Sequence, residues 1–326
     1  MHILLTGGAG YIGSHACLAL LDAGHKVTVI DDLSTGHKEL IPTEASFLQC
    51  NINENDKIAN LIRNNNFDAL IHFAGFIQVE ESVKNPKKYF ENNTDNSIKL
   101  FETCYKNNLI NIIFSSTAAA YGNQETSGPI LETNKIQPLN PYGESKVRTE
   151  NYLLNANKFN FIILRYFNVA GADLHLRTGL ISKKPTHLIK IASEVAVGKR
   201  DKIKIFGKDY NTPDGTAIRD YIHVTDLADI HLKSLEYLIK NLKSNIFNCG
   251  YGKGFSVKEV IDTANKITNN SIKYEFGNRR PGDAESLISD VSKLQNAINW
   301  KPHYNNLETI IESSIKWEKQ LYAKNL

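Results

Sequence analysis

Residues 3–13 read Ile-Leu-Leu-Thr-Gly-Gly-Ala-Gly-Tyr-Ile-Gly, an apolar run that leads directly into spaced glycines. Its first four residues predict a buried strand, and residues 11–23 have the apolar periodicity of a helix. Gly7, Gly10 and Gly13 allow a tight turn and a close approach of the backbone to a pyrophosphate. The helix that follows points its positive end at that charge. The stretch therefore predicts a dinucleotide-binding turn at a first strand–helix junction.

Asp31 indicates which dinucleotide binds there. It ends the second predicted strand, 27–31, and no arginine stands beside it. A carboxylate at this position accepts hydrogen bonds from a ribose 2′-hydroxyl and repels a 2′-phosphate. The sequence therefore predicts NAD rather than NADP.

The first half of the chain continues to alternate strands and helices. Further strands are predicted at 69–73, 112–115 and 161–165, and helices at 89–106 and 142–157. This alternation implies a parallel sheet with right-handed crossovers, and continuously apolar strands are buried on both faces. We expect an α/β protein: a Rossmann-type doubly wound parallel sheet with a smaller C-terminal α/β substrate domain.

The pattern changes after Asn168. The later predicted elements are a loop over 171–185, a helix over 188–197, a strand over 203–206 and a helix over 224–239. We expect a cofactor domain over 1–168 and a substrate domain over 169–326. A helix and a strand from about 220–245 are expected to return to the first domain.

Composition excludes several classes of partner. The 326 residues carry a net charge of only +3, too little to predict binding to nucleic acid or to an anionic membrane. No apolar run approaches the roughly 18 residues that span a bilayer, and no basic segment precedes a long apolar stretch at the N-terminus. Cys17, Cys50, Cys104 and Cys249 lie far apart without a CxxC pair. They predict buried, reduced thiols, no metal site and a cytoplasmic protein.

The segment YGESK, residues 142–146, opens a predicted helix directly after Pro141. Its spacing puts the Tyr142 phenol and the Lys146 ammonium on one helical face. A nearby cation lowers the pKa of a tyrosine from about 10, which allows proton exchange near neutrality. Upstream, Ser-Ser-Thr at 115–117 ends a predicted central strand, where such a sheet presents catalytic side chains. Together the two segments predict an acid–base centre.

Eight motifs follow one another over nearly the whole chain. They are TGGAGYIGSH (6–15), DDLSTGH (31–37), HFAG (72–75), FSSTAAAYG (114–122), NPYGESK (140–146), LRYFN (164–168), DGTAIRDYIHVTDLAD (214–229) and RRPGD (279–283). Together they closely resemble bacterial UDP-glucose 4-epimerases of the extended short-chain dehydrogenase/reductase type. The last two motifs carry most of the resemblance, because many sugar-nucleotide enzymes share the Rossmann half. The resemblance implies a homodimer that interconverts UDP-galactose and UDP-glucose through a transient 4-keto sugar and NADH.

The resemblance also implies roles for individual residues. Tyr142 would exchange the proton of the sugar 4-hydroxyl. Lys146 would lower the pKa of Tyr142 and hold the nicotinamide ribose. Thr117 would hydrogen-bond the sugar 4-oxygen. The implied NAD site comprises Gly7, Gly10, Tyr11, Ile12, Gly13, Asp31, Asp32, Asn51, Ile52, Phe73, Ala74, Gly75, Asn92, Lys146 and Phe167. The implied UDP-sugar site comprises Thr117, Tyr142, Asn168, His187, Leu188, Phe206, Arg219, Arg280, Asp283 and Leu287, with the arginines on the diphosphate. Asn51, Ile77 and His187 depart from the aspartate, lysine and asparagine common in the family.

Four alternative functions can be weighed on the sequence. A sugar-nucleotide 4,6-dehydratase needs an acid and a base after the Ser/Thr, where this chain has Ala118 and Ala119. A UDP-glucuronate epimerase needs a further cation for the C6 carboxylate. An epimerase of UDP-N-acetylhexosamine depends on Leu287, the position that the resemblance assigns to the sugar's 2-substituent. A catalytically silent NAD-binding regulator predicts damage at Tyr142 or Lys146, and both are intact.

Overall fold

The apolar run at the start of the chain forms a strand, and the glycine turn after it leads into a helix. The computed structural model describes residues 1–124, 128–269, 271–280 and 284–324. The first half contains β1 (His2–Thr6), α1 (Tyr11–Asp22), β2 (Lys26–Asp31), β3 (Ser46–Gln49), α2 (Asn55–Arg63), β4 (Ala69–His72), α3 (Val79–Lys84), α4 (Pro86–Tyr89), a π-helical segment (Phe90–Asn96), α5 (Ser97–Lys106), β5 (Asn111–Thr117), α6 (Pro141–Ala156) and β6 (Asn160–Tyr166). The second half contains β7 (Asn168–Ala170), α7 (Leu188–Ala196), β8 (Ile203–Phe206), β9 (Ile218–His223), α8 (Val224–Asn241), β10 (Asn245–Cys249), β11 (Gly254–Ser256), α9 (Val257–Thr268), β12 (Tyr274–Gly277), β13 (Ser286–Leu287), α10 (Ser292–Ile298) and α11 (Leu307–Ala323).

A seven-stranded sheet forms the centre of the molecule in the order β3-β2-β1-β4-β5-β6-β10. Every neighbouring pair in it is parallel. The chain builds outward from β1 through β2 to β3, then crosses back to place β4 on the other side of β1. Sheets of this kind bind ligands at such a reversal of strand order. The predicted Rossmann-type, doubly wound sheet is confirmed.

Helices cover both faces of this sheet. Ile3 and Leu5 belong to one apolar cluster, which also contains residues of α1 and α8. Leu4 belongs to a second cluster with residues of α2, α5 and α6. Because successive strand side chains point to opposite faces, the two clusters lie on opposite sides of the sheet. This double burial accounts for the continuously apolar strands.

The region predicted as one helix over 89–106 has a different course. α4 and α5 are joined by the π-helical segment Phe90–Asn96, so the prediction of a single α-helix is wrong in this stretch. The spacing of apolar residues does not reveal one wide turn inside a longer helix. π-helical turns often occur at functional sites, and this one carries Asn92 and Asn93.

The later strands form two small sheets. β9 pairs with β7, β11 and β13, and β8 pairs with β12. Residues of α7, α9 and α11 share a third apolar cluster with β8 and β9. Two later elements instead join the large sheet: β10 lies beside β6, and α8 packs against α1.

Two sequence-based expectations concern residues spread over the whole chain. All four cysteines are buried and carry free thiols, as their spacing predicts. Within the described ranges, no helix combines the length and the apolar character needed to cross a membrane.

Candidate active site

The turn after β1 forms a close-fitting backbone cradle. Gly7 has a φ of +75°, and a Cβ there would lie 2.6 Å from the Ala74 nitrogen. A Cβ on Gly13 would lie 2.2 Å from the Gly7 carbonyl oxygen. Gly10 caps α1 without a side-chain hydrogen bond, which leaves the first N–H groups of the helix available. These features fit a pyrophosphate held at the positive end of α1.

Asp31 lies beside this turn. Its carboxylate accepts the N–H groups of Ala9 at 3.0 Å and Leu33 at 2.9 Å, and it keeps acceptor capacity for ribose hydroxyls. Asn51 donates to the Asp32 carboxylate at 2.6 Å, so these two predicted cofactor residues meet at the ends of neighbouring strands. The adjacent Ile52 is buried.

A third part of the predicted cofactor site follows β4. Residues 73–75 run past the phosphate turn, and a Cβ on Gly75 would lie 3.3 Å from Lys146 Nζ. Asn92 lies nearby on the π-helical segment, where its amide donates to Asn93 Oδ1 at 3.2 Å. Ile77, by contrast, is 57% exposed.

Helix α6 places the predicted catalytic side chains. It begins at Pro141, and the side chain of Asn140 accepts the Gly143 N–H at 2.9 Å. This cap determines where the first turn starts and therefore where Tyr142 and Lys146 leave the helix.

Tyr142, Lys146 and Thr117 meet at the end of β5. The Thr117 hydroxyl lies close enough to the Tyr142 phenol to lower its pKa. Lys146 is only 3% exposed, and its Nζ donates to the Ser115 carbonyl oxygen at 2.9 Å. The structure thus brings together the three residues that the sequence singles out.

Burial governs the ionisation of these groups. Burial raises the pKa of Tyr142, and the nearby Thr117 hydroxyl opposes the shift only in part. Burial also lowers the pKa of Lys146 to about 8, while the Glu150 carboxylate acts in the opposite direction. Burial is therefore the larger effect on the Tyr142 pKa among these side chains, and the lowering of that pKa by Lys146 stays a prediction. Removing a phenolate from water outweighs the stabilisation that its neighbours provide.

Predicted substrate residues lie next to the phosphate turn. Tyr11 lines a small cavity together with Asn168, His187 and Leu188. The Tyr11 hydroxyl donates to the Gly171 carbonyl oxygen at 2.6 Å, which ties α1 to the loop after β7. The His187 side chain is exposed.

Arg219 and Leu287 occupy paired positions on β9 and β13. Paired residues of neighbouring strands project to the same side of a sheet. Leu287 is half-buried and packs against a cluster that contains Ala118 and Phe167. This packing brings Leu287 to the apolar cluster that follows Thr117.

Phe206 and Arg280 also come together. The Arg280 guanidinium lies 3.9 Å from the centroid of the Phe206 ring. Its neighbour Arg279 instead pairs with Asp209 at 2.8 Å. Asp283, the remaining predicted substrate residue, lies outside the described residues.

Comparison with known proteins shows the family of this chain. Residues 3–250 match the model of the NAD dependent epimerase/dehydratase family. The chain is 45% identical over 322 residues to the UDP-glucose 4-epimerase of Azospirillum brasilense, covering 98% of this chain and 92% of that protein. The chain belongs to the NAD dependent epimerase/dehydratase family.

Solved structures of epimerases have the same fold. UDP-glucose-4-epimerase from Stenotrophomonas maltophila, with bound NAD and formylated UDP-arabinopyranose, is 34% identical with a TM-score of 0.96, covering 99% of both chains. The UDP-Glc/GlcNAc 4-epimerase of Campylobacter jejuni is 46% identical with a TM-score of 0.84, covering 98% of this chain and 99% of that one. NAD is thus the cofactor that the family description gives, in agreement with the prediction from Asp31.

Sequence reasoning missed two buried residues of this epimerase/dehydratase site. Asn93 accepts the Phe76 N–H and donates to the Phe76 carbonyl, both at 2.9 Å, and also donates to Ser145 at 3.2 Å. It therefore joins the segment after β4 to the catalytic helix. The pair Asn92-Asn93 inside a predicted helix was the available signal, because asparagine is a weak helix former.

Asp220 is the second missed residue. It is fully buried and accepts N–H groups from Tyr251 at 2.8 Å, Gly252 at 3.0 Å and Ser289 at 3.1 Å. It follows Arg219, and these bonds join the Arg219 strand to the segment after Leu287. The sequence RDYIH around Asp220 indicates an acidic residue in a strand. It does not indicate which groups hydrogen-bond to that residue.

Proposed function

We propose that the protein is a UDP-glucose 4-epimerase, an isomerase that interconverts UDP-galactose and UDP-glucose with NAD as cofactor. The observation that carries the proposal is the meeting of Tyr142, Thr117 and Lys146 at the end of β5 beside the glycine turn. The relatives from Azospirillum and Stenotrophomonas support the substrate class.

In the proposed mechanism, Tyr142 removes the proton of the sugar 4-hydroxyl and later returns one to the 4-keto oxygen. Thr117 hydrogen-bonds the same oxygen, and the Ala119 N–H, donating to its hydroxyl at 3.1 Å, holds that hydroxyl in place. Lys146 keeps a positive charge close to the phenol and binds the nicotinamide ribose. When bound, NAD supplies reversible transfer of the C4 hydride of the sugar.

The NAD site is proposed from the turn and from the strand ends next to it. Gly7, Gly10 and Gly13, with the N–H groups of Tyr11 and Ile12, hold the pyrophosphate. The remaining proposed contacts are Asp31, Asp32, Asn51, Ile52, Phe73, Ala74, Gly75, Asn92, Lys146 and Phe167. Together with the order of the strands, these positions support a cofactor domain over 1–168 and a substrate domain over 169–326.

The UDP part of the substrate takes most of the proposed binding contacts. Arg219 and Arg280 hold the diphosphate as forked donors, and Phe206 lies against Arg280. The other proposed contacts are Asn168, His187, Leu188, Asp283 and Leu287. Epimerisation requires the hexose to turn over between two hydride transfers, so binding energy concentrated in the nucleotide suits the reaction.

The rival activities lack support in this site. Elimination by a dehydratase needs an acid and a base where Ala118 is buried in an apolar cluster. A silent regulator has no need for the buried contact between Lys146 and Ser115. UDP-glucuronate and UDP-N-acetylhexosamine are less favoured as main substrates, because the curated relatives from eight organisms all carry the name UDP-glucose 4-epimerase.

Incubation of the purified protein with UDP-galactose tests the proposal. We expect an equilibrium mixture with UDP-glucose, separated by chromatography, and no net formation of a 4-keto product. Unchanged UDP-galactose at high enzyme concentration would reject the proposed activity.

We also propose a cytoplasmic homodimer formed through the outer faces of α4–α5 and α6. A cleft on this surface is lined by Pro86, Lys87, Phe90, Glu91, Asp95 and Lys99, and Arg148 of α6 stacks on the Phe90 ring at 4.2 Å. Sedimentation should give twice the 36.6 kDa chain mass. Phe90→Asp should shift the protein toward monomer, whereas Leu242→Asp, at an exposed position after α8, should not.

A further inference from the structure

A buried ion pair lies beside the proposed catalytic residues. Glu150 is 1% exposed and Arg165 is 3% exposed. Arg165 Nη2 and Nε donate to the two carboxylate oxygens of Glu150 at 2.6 and 3.1 Å, a bidentate arrangement. The Ser116 hydroxyl donates to the same carboxylate. The position of this negative charge is therefore fixed from two sides.

The pair connects the catalytic helix to the strand that ends at Thr117. Glu150 lies one turn after Lys146 on α6. Arg165, on β6, is the register partner of Ser116 on the neighbouring strand β5. Lys146 holds the Ser115 carbonyl oxygen, and Glu150 holds the next side chain along, Ser116. Two side chains of α6, one turn apart, thus bind two consecutive residues of β5 directly before Thr117.

We infer that Glu150 is a positioning residue for the Lys146–Thr117 centre: with Arg165 it holds the end of β5 against α6, and it keeps a negative charge one helical turn from the buried ammonium. The inference rests on the proposed function for its catalytic consequence. A buried ammonium is costly unless an opposite charge lies near it. Glu150 supplies that charge one helical turn from Lys146.

Other charged and titratable groups lie near the pair or near Lys146. Near the pair are Tyr121 and Glu132 in the segment after β5 and Lys293 on α10. Near Lys146 are His72 on β4 and, one helical turn earlier on α6, Tyr142. Burial and the charge of Lys146 lower the pKa of His72 to about 3, so His72 is neutral at physiological pH. Arg165 also donates to the Tyr121 hydroxyl at 2.9 Å. Against burial, the Glu150 carboxylate raises the pKa of Lys146.

The test compares Glu150→Gln with Glu150→Asp in the full-length protein. Glutamine keeps the length and an acceptor for Ser116 but removes the charge, whereas aspartate keeps the charge. We expect Glu150→Gln to move the alkaline limb of the kcat–pH profile for UDP-galactose to lower pH by about one unit, because Lys146 loses its proton earlier. KM should stay within about twofold of wild type, since the diphosphate contacts are untouched. Glu150→Asp should keep the wild-type position of that limb.

A second readout does not depend on activity. The titration of Lys146 can be followed by NMR of isotope-labelled lysine, with its signal identified by its loss in Lys146→Met. The Glu150→Gln protein should show the Lys146 midpoint shifted down by about one pH unit. Because Glu150→Gln leaves Arg165 buried without its carboxylate, the double variant Glu150→Gln/Arg165→Met removes both charges and provides a folded comparison. Because loss of the Arg165 charge acts in the opposite direction, the Lys146 midpoint of the double variant should shift down by less than in Glu150→Gln.

The two readouts separate this inference from the proposed function. A Lys146 midpoint in Glu150→Gln that coincides with wild type would overturn the role of Glu150, even in an active epimerase. A shifted Lys146 midpoint in a protein that leaves UDP-galactose unchanged would support the role of Glu150 and reject the epimerase proposal.

Discussion

At the scale of single residues, Tyr142 is the side chain whose ionisation matters most for the proposed reaction. Burial raises the pKa of its phenol, so the protein needs Lys146, Thr117 and bound cofactor to make it a proton acceptor. Tyr142→Phe removes only the hydroxyl and leaves the NAD contacts of the turn in place. We expect turnover to fall about 10²- to 10⁴-fold while NAD stays bound. Steady-state rates with UDP-galactose and the dinucleotide content of the variant check both parts.

Tyr89→Phe provides the matched control for Tyr142→Phe. The Tyr89 hydroxyl is also buried and hydrogen-bonded, to the Gln78 carbonyl oxygen at 2.7 Å, and its ring lies 6.4 Å from that of Tyr142. Removing the Tyr89 hydroxyl should change the free energy of unfolding more than it changes the turnover rate. If Tyr142→Phe kept more than a few per cent of the wild-type rate, Tyr142 would not be the acid–base residue.

Leu287 sets a second prediction at this scale. It lies half-buried against the Ala118–Phe167 cluster, at the position that the family resemblance assigns to the sugar's 2-substituent. Leucine is smaller than tyrosine, so we expect UDP-N-acetylglucosamine to be epimerised, more slowly than UDP-glucose. Leu287→Tyr adds bulk next to the 2-substituent, and a clash there of about 1–3 kcal/mol corresponds to roughly 5- to 150-fold in rate.

The readout for Leu287 is the ratio of the two activities. Leu287→Tyr should reduce the rate with UDP-N-acetylglucosamine selectively and leave the rate with UDP-glucose near wild type. Negligible acetamido-sugar activity in both proteins would contradict the prediction.

At the scale of elements, the start of α6 matters most because it aims Tyr142. Asn140 accepts the Gly143 N–H, and Pro141 occupies the first helical position. Asn140→Ala should lower the free energy of unfolding by about 1 kcal/mol, a fall of roughly 2 °C in Tm. Asn140→Asp keeps a capping oxygen and should stay close to wild type. Thermal unfolding of both variants tests the cap, and equal losses in the two would show that capping is not its role.

At the scale of the whole molecule, the proposed NAD site draws on the ends of five parallel strands, on the π-helical segment and on α6. A cofactor enclosed by so many elements should survive purification. We expect the protein to be isolated with NAD and without a need for added cofactor. Denaturation followed by identification of the released dinucleotide checks this, and NADP as the main species would contradict the reading of Asp31.

Removal of NAD should also lower Tm. A ligand present at 1,000 times its Kd stabilises the folded protein by about 4 kcal/mol. Re-addition of NAD should restore the original Tm, whereas NADP should restore it less, because Asp31 repels a 2′-phosphate. Equal recovery with the two dinucleotides would show that Asp31 does not discriminate between them.

The sequence by itself determined the elements whose signal is local. The glycine turn, the apolar strands and the Tyr142–Lys146 spacing each depend on a few consecutive residues or on one helical turn, and the structure contains all three. Only the tertiary structure decided what depends on distant partners. The Arg219–Leu287 pairing, the bonds of Asp220 and the Glu150–Arg165 ion pair join segments separated by many residues. The raised pKa of Tyr142 belongs to the same class, because burial is a property of the packed molecule and not of the motif.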